Sequence, residues 1–195
     1  FGLLGIYTAG TLVHLVPMLI DRGTTPSHAA LAMSVLGIAL IIGRLVTGYL
    51  LDRFFAARVA IGFLLCPVLA LAAFALGASG DAVIVGAILL GLGMGSEMDL
   101  LSYLISRYLG LKAYGQLYGL TYAAFSFGAG IGPIIMGYVH QSTGGYTPAL
   151  WTLCVLTICA LLPFLTLGPY PALPTSSADA GTRVVMGESS EQTAI

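Results

Sequence analysis

Three ionisable residues lie inside apolar runs of this chain, and their spacing puts them at one level. Arg44 precedes Arg53 by nine residues within GRLVTGYLLDRF. On a helix this is about 13 Å from the charged turn. Glu97 and Asp99 precede Arg107 by ten and eight residues, about 15 Å and 12 Å from the matching end of their own run. A planar guanidinium suits a carboxylate because it donates two parallel hydrogen bonds. Two arrangements would satisfy Arg44. One is a permanent clamp with Glu97 or Asp99 across a helix pair. The other is a wet cavity where Arg44 meets an anionic solute, with an acid as its resting partner or as a proton carrier.

Other side chains could serve the same cavity. Tyr7, Thr11 and His14 are spaced four and three apart, which lines them on one helical face, with Thr8 beside them. Such a face borders either a cavity or a neighbouring helix, and His14 suits proton transfer. A second stripe is Tyr114, Tyr118, Tyr122 and Phe125, which offers ligand contact or aromatic packing. The substrate-binding candidates are therefore Arg44, His14, Tyr7, Thr11, Tyr118 and Tyr122, with Glu97 and Asp99 as a charge network or proton-coupling pair. His28, His140 and Trp151 lie near the far ends of their runs and suit a membrane interface.

The elements that must position these groups follow from composition. Of 195 residues, 58% are hydrophobic and 8% charged. Soluble domains carry about 25% charged residues, so this chain belongs in a bilayer. A crossing helix needs about 20 apolar residues. Six such runs occur, at approximately 1–20, 29–51, 59–77, 82–106, 116–139 and 149–169. The fold class is all-α, a polytopic six-helix bundle over 1–169. Residues 170–195, rich in small and polar types, read as a disordered cytoplasmic tail.

Loop charges orient the bundle. Arg53 and Arg58 lie in the second loop, Arg107 and Lys112 in the fourth, and the odd loops hold only Arg22. Both termini of the segment are therefore expected on the cytoplasmic side, in a bacterial inner membrane. The start at Phe1, without methionine or a basic leader, reads as a truncation.

The same residues exclude several classes. The net charge of -1 gives no nucleic-acid footprint. Cys66, Cys154 and Cys159 form no CxxC pair, so no metal and no cofactor are expected. GLGMGS and FGAGIGP lie within apolar runs with no preceding strand, which excludes a phosphate loop. Their glycines, Gly91 with Gly95 and Gly128 with Gly132, suit close helix approach. The motifs of intramembrane proteases are missing, and the chain has no asparagine for an aquaporin motif. It is read as no enzyme. A passive six-helix scaffold remains the alternative to a carrier.

GRLVTGYLLDRF followed by Arg58 resembles the cytoplasmic-turn signature of the major facilitator superfamily, with Gly48, Leu50, Asp52, Arg53 and Arg58 in its positions. Phe54-Phe55-Ala56-Ala57 departs from the usual glycine and basic residue. GAGIGPIIMG is similar to the superfamily's Gly-Pro helix. The resemblance covers about 1–169 and implies the C-terminal half of a twelve-helix secondary transporter, with an N-terminal six-helix half as partner. It also implies that the first, second, fourth and fifth spans line the cavity. SEMDLLSYLISRYLGLKAYGQLYG resembles the oxalate/formate antiporter and monocarboxylate transporter branch. In that branch an arginine four residues before the motif glycine, here Arg44, is implicated in carboxylate binding. No lysine lies in 116–139, where the oxalate carrier has one, so the resemblance points to a monoanion, such as a monocarboxylate, or a different organic acid rather than a compact dianion. It further implies alternating access with a proton as the possible coupling ion. Asp52, Arg53, Arg58 and Arg107 take the role of a conformational latch. Proton-coupled efflux of another solute class is the runner-up within the superfamily.

Overall fold

A computed structural model of the chain describes residues 1–168 and 170. Its elements are six helices: α1 (Gly2–Asp21), α2 (Pro26–Leu51), α3 (Ala56–Ala75), α4 (Asp81–Tyr108), α5 (Tyr114–Thr143) and α6 (Thr147–Leu165). All six are long and apolar enough to cross a membrane. The architecture is all-α, as the composition requires. α2 begins three residues earlier than the apolar run at 29–51, and α5 extends four residues past 139. Local chemistry explains both. Thr25 caps α2, its hydroxyl accepting the His28 N–H, and Pro26 fills the first turn, where a missing N–H costs nothing. α5 stops at Gly144, whose φ of 72° is the left-handed cap that glycine adopts without strain. Of the tail expected at 170–195, Tyr170 is described and packs against the bundle; the rest lies outside the described residues.

The packing repeats itself. α1 lies along α5 and α2 along α4, while α3 bridges α4 and α6 and α6 also meets α1. The first helix of each triplet thus pairs with the second helix of the other triplet. Glycine makes both pairings close. A methyl group on Gly132 would stand 2.9 Å from the Gly10 nitrogen, and one on Gly43 would stand 2.6 Å from the Leu92 carbonyl oxygen. Only bare backbone fits at those crossings.

Both ends of the bundle are tied by polar contacts. Arg22 Nη1 donates to the Phe74 carbonyl and Nη2 to Thr147 Oγ1 at 3.0 Å, joining the α1–α2 turn to α3 and α6. At the other end Tyr170, beyond α6, accepts the Ala56 N–H at 2.9 Å. Phe55, the N-cap of α3, offers no side-chain cap, so the phenol oxygen takes that place. The Tyr170 ring also packs on Phe55 and Tyr108, with centroids 5.0 Å and 5.3 Å away.

Candidate functional site

Arg44 projects from α2 and meets α4, with Nε 3.5 Å from Asp99 Oδ2. The side chains are 54% and 32% exposed, so the pair lies at the open surface of the bundle rather than in the core. The contact is a single long one, unlike a bidentate fork. Gly43 and Gly95 explain the geometry: their bare backbones bring α2 against α4 at this level, which puts Arg44 within reach of Asp99.

Asp99 also borders an open groove of about 560 Å³ that lies toward the α2–α3 turn. Asp52, Asp99, Ser102, Ser106 and Tyr114 supply polar lining. α4 forms its floor, the end of α2 one wall and the start of α5 the other. On α5, Tyr114, Tyr118, Tyr122 and Phe125 form a ladder, with successive centroids 5.8, 6.0 and 6.2 Å apart. Tyr122 is exposed and Tyr118 half-buried. The spacing leaves no room for a ring to intercalate, so a solute would meet ring edges and hydroxyls.

Glu97 stands apart from Arg44. Two residues from Asp99, it points to another side of α4 and is 1% exposed. Tyr7 Oη donates to its Oε1, and Thr8 Oγ1 lies 2.8 Å and 3.0 Å from its two oxygens. The expectation that Arg44 meets Glu97 or Asp99 thus resolves to Asp99. Glu97 was legible as an acid at the right depth. Its partners on α1 were not, because Thr8 read only as a flanking residue.

The α1 face divides along its length. Tyr7 and Thr11 are 0% and 1% exposed, within helix interfaces. Of the two expectations for this face, a cavity or a neighbouring helix, these two side chains lie at the neighbouring helix. His14 is half-buried, with Nδ1 3.3 Å from Tyr146 Oη and Nε2 3.1 Å from the Pro133 carbonyl. A carbonyl only accepts, so Nε2 carries a proton, and Nδ1 shares a hydrogen bond with the Tyr146 hydroxyl. Tyr146 is a partner that the sequence reading missed.

The residues expected as a latch do not form one ion-pair cluster. Among the described residues Asp52 makes no ion pair and ends α2 at the cavity mouth. Arg53 lies over the Tyr49 ring, 4.5 Å from its centroid. Arg107 lies over Tyr103 at 5.2 Å and Tyr170 at 5.9 Å. Arg58 borders an apolar hollow with Phe54 and Phe63. Cation–π contact, rather than charge pairing, holds two of these arginines. Among the described residues no cluster of metal-ligating side chains occurs.

Comparison with known proteins agrees with this architecture. The family model of the Major Facilitator Superfamily matches residues 1–190. The chain is 30% identical over 148 residues to MFS-type transporter 1 of Ophiocordyceps sp. (strain BCC 1869), covering 73% of this chain and 32% of that protein. It is 30% identical over 147 residues to human Monocarboxylate transporter 11, covering 69% of this chain and 31% of that protein. It therefore spans about a third of the length of these relatives. The POT family transporter PepTSo, solved in meso, superposes with a TM-score of 0.69 at 19% identity, over 89% of this chain and 38% of that one. The relatives are transporters, not enzymes, and the six helices make this a multi-pass membrane protein. On the family match, which runs nearly the whole length, the chain belongs to the Major Facilitator Superfamily.

Proposed function

We propose that this chain is the C-terminal six-helix half of a secondary active transporter that moves a small organic anion, such as a monocarboxylate, by alternating access. The observation that carries this reading is the state of Arg44. It is exposed over half its side chain and is held by one long contact to Asp99, which lines the groove, so its terminal nitrogens are available to a carboxylate. An incoming anion takes the guanidinium, and Asp99 turns to the aqueous groove. The exchange replaces one counter-charge with another, so neither state strands a charge at mid-bilayer.

Tyr118 and Tyr122 lie on the α5 wall and would contact the solute by their hydroxyl edges. A second six-helix half would close the groove from the opposite side, with the site between the halves. Both ends of this segment lie on the cytoplasmic side in this reading, because Arg53, Arg58, Arg107 and Lys112 cluster at that end. The printed name of the human relative, Monocarboxylate transporter 11, supports the substrate class.

The test uses the full-length protein in proteoliposomes, with radiolabelled lactate counterflow as the assay. Arg44→Ala is expected to abolish trans-stimulated uptake, and Arg44→Lys to weaken it by losing the fork geometry. Wild-type counterflow in both variants would remove Arg44 from the site.

A further inference from the structure

We infer that the crevice between α2 and α3 at the Arg58 end of the bundle binds an anionic diacyl phospholipid, with an acyl chain in the apolar hollow and the phosphate on the Arg58 guanidinium. The hollow has a volume of about 430 Å³. Val46, Leu50 and Phe54 form its α2 side, Gly62 and Phe63 its α3 side, and Leu92 of α4 lies behind them. α2 and α3 scarcely touch each other and pack on α4 instead, which leaves the crevice between them open. Apart from Arg58 the lining side chains are apolar, save the Cys66 thiol, which already donates to the Gly62 carbonyl at 3.5 Å. A void lined in this way holds no water, and its walls lack dispersion partners until apolar matter fills it. Gly62 keeps it wide, since a methyl group there would meet no neighbouring atom within 4 Å.

The last turns of α2 separate this hollow from the polar groove. Leu51 and Asp52 line the groove, whereas Val46 and Leu50 line the hollow, and the helical period puts these pairs on opposite sides. Leu45 and Leu65, next to Val46 and Cys66 in the chain, are exposed, so the face around the hollow is one that acyl chains solvate. Charge selects the head group. Arg58 is exposed at the rim, and the stripe Arg58, Gly62, Cys66 runs from it about 12 Å down α3. Among the described residues Arg58 makes no ion pair. The first turn of α3 holds no acid, and the positive end of the helix dipole adds to the arginine's charge. Asp52 belongs to the groove side, while Arg53 and Arg107 are held over tyrosine rings. An unopposed cation above a dry hollow complements a phosphodiester with an acyl chain beneath it. The guanidinium donates to the phosphate oxygens, and its stem lies along the apolar rim. No acid lines the hollow to receive the ammonium of a zwitterionic head group, which favours an anionic lipid. Phe54, 55% exposed at the rim, is one of the four residues by which this turn departs from the superfamily's signature. The site depends on the membrane-spanning bundle and not on the carrier reading.

Native mass spectrometry of the delipidated full-length protein tests the site, with dioleoyl phosphatidylglycerol and dioleoyl phosphatidylcholine as probes. The first phosphatidylglycerol should bind more tightly than phosphatidylcholine. One arginine near the surface corresponds to about fivefold in affinity for an anionic lipid. Arg58→Ala should lose that factor for phosphatidylglycerol and leave phosphatidylcholine nearly unchanged, and Arg58→Lys should restore most of it. Gly62→Leu fills the hollow and keeps the arginine, so it should lower the occupancy of both lipids while its thermal midpoint in lipid-free detergent matches wild type. Val46→Phe fills the hollow from α2 and gives the same readout should Gly62→Leu misfold. Glycerophosphoglycerol, the head group alone, should not displace the lipid. Wild-type phosphatidylglycerol binding in Arg58→Ala, or in a folded hollow-filling variant, overturns the site. Displacement by the head group alone also overturns it, because a bare anion site would need no hollow. Binding is read without transport, so failure of the lactate counterflow assay would remove the carrier reading and leave this site standing.

Discussion

Replacing Asp99 with asparagine separates a working ion pair from a structural clamp. The substitution keeps the side-chain shape and removes the charge facing Arg44. The single contact at 3.5 Å between half-exposed partners resembles exposed pairs, which contribute about 0–1 kcal/mol. For a chain of this length that is a change in melting midpoint of no more than about 4 °C. Freed from its resting partner, Arg44 should bind a carboxylate more tightly by the same free energy, up to about fivefold in KM. A dry pair would behave differently. Breaking it would leave an uncompensated guanidinium at a cost of about 3–5 kcal/mol, lowering the midpoint by about 10 °C. Counterflow kinetics in proteoliposomes and thermal unfolding in detergent read the two quantities. A large loss of stability together with an unchanged or raised KM would refute the reasoning that Asp99 is an exchangeable counter-ion in a wet groove.

Three further outcomes follow from the packing. Gly132→Leu drives a side chain into the Gly10 backbone, 2.9 Å from where its first carbon would stand. Overpacking of about 1–3 kcal/mol or more should appear as loss of the monodisperse peak in size-exclusion chromatography. Tyr170→Phe keeps the ring but removes the cap on α3, a loss of about 0.5–2 kcal/mol visible as a lowered melting midpoint. The same variant alters the alkaline limb of stability. Burial, outweighing the Ala56 N–H, raises the Tyr170 phenol above its ordinary 10.0. The unfolded chain then releases that proton first, so this contribution is complete below about pH 10 and declines as pH rises through the folded value. Thermal scans above pH 10 should therefore fall more steeply in wild type than in Tyr170→Phe.

Much of the architecture was legible because lipid imposes a strong rule. A helix must cross about 30 Å of hydrocarbon with its backbone satisfied, so six apolar runs announce an all-helical bundle. Arg44 was legible for the same reason, since a charge there needs company. Spacing along one helix gives depth but not azimuth, and there the reading stopped. It could not separate Glu97 from Asp99, which share a level yet face different neighbours. Nor could it tell that Tyr7 and Thr11 are packed inside while Tyr122 on α5 is exposed. Those outcomes depend on which helices pair, and glycines such as Gly43 and Gly132 announce a close approach without naming the partner. Tyr170 gave no signal, because one aromatic after the last apolar run could lie anywhere.

The two glycine-mediated pairs are alike in topology and unequal in mechanics. Where main chain touches main chain, no rotamer change lets one rod slide along its mate, so each pair must flex as a laminate. The α2–α4 laminate has no proline in the interior of either rod, whereas α1 carries Pro17 and α5 carries Pro133. Proline removes a backbone bond and softens a helix where it sits. The beam bearing Arg44 and Asp99 is thus the stiff one. Compliance is concentrated in its counterpart, on the stretch that holds His14, so bending strain in this half would be borne by α1 and α5 while the guanidinium keeps its footing.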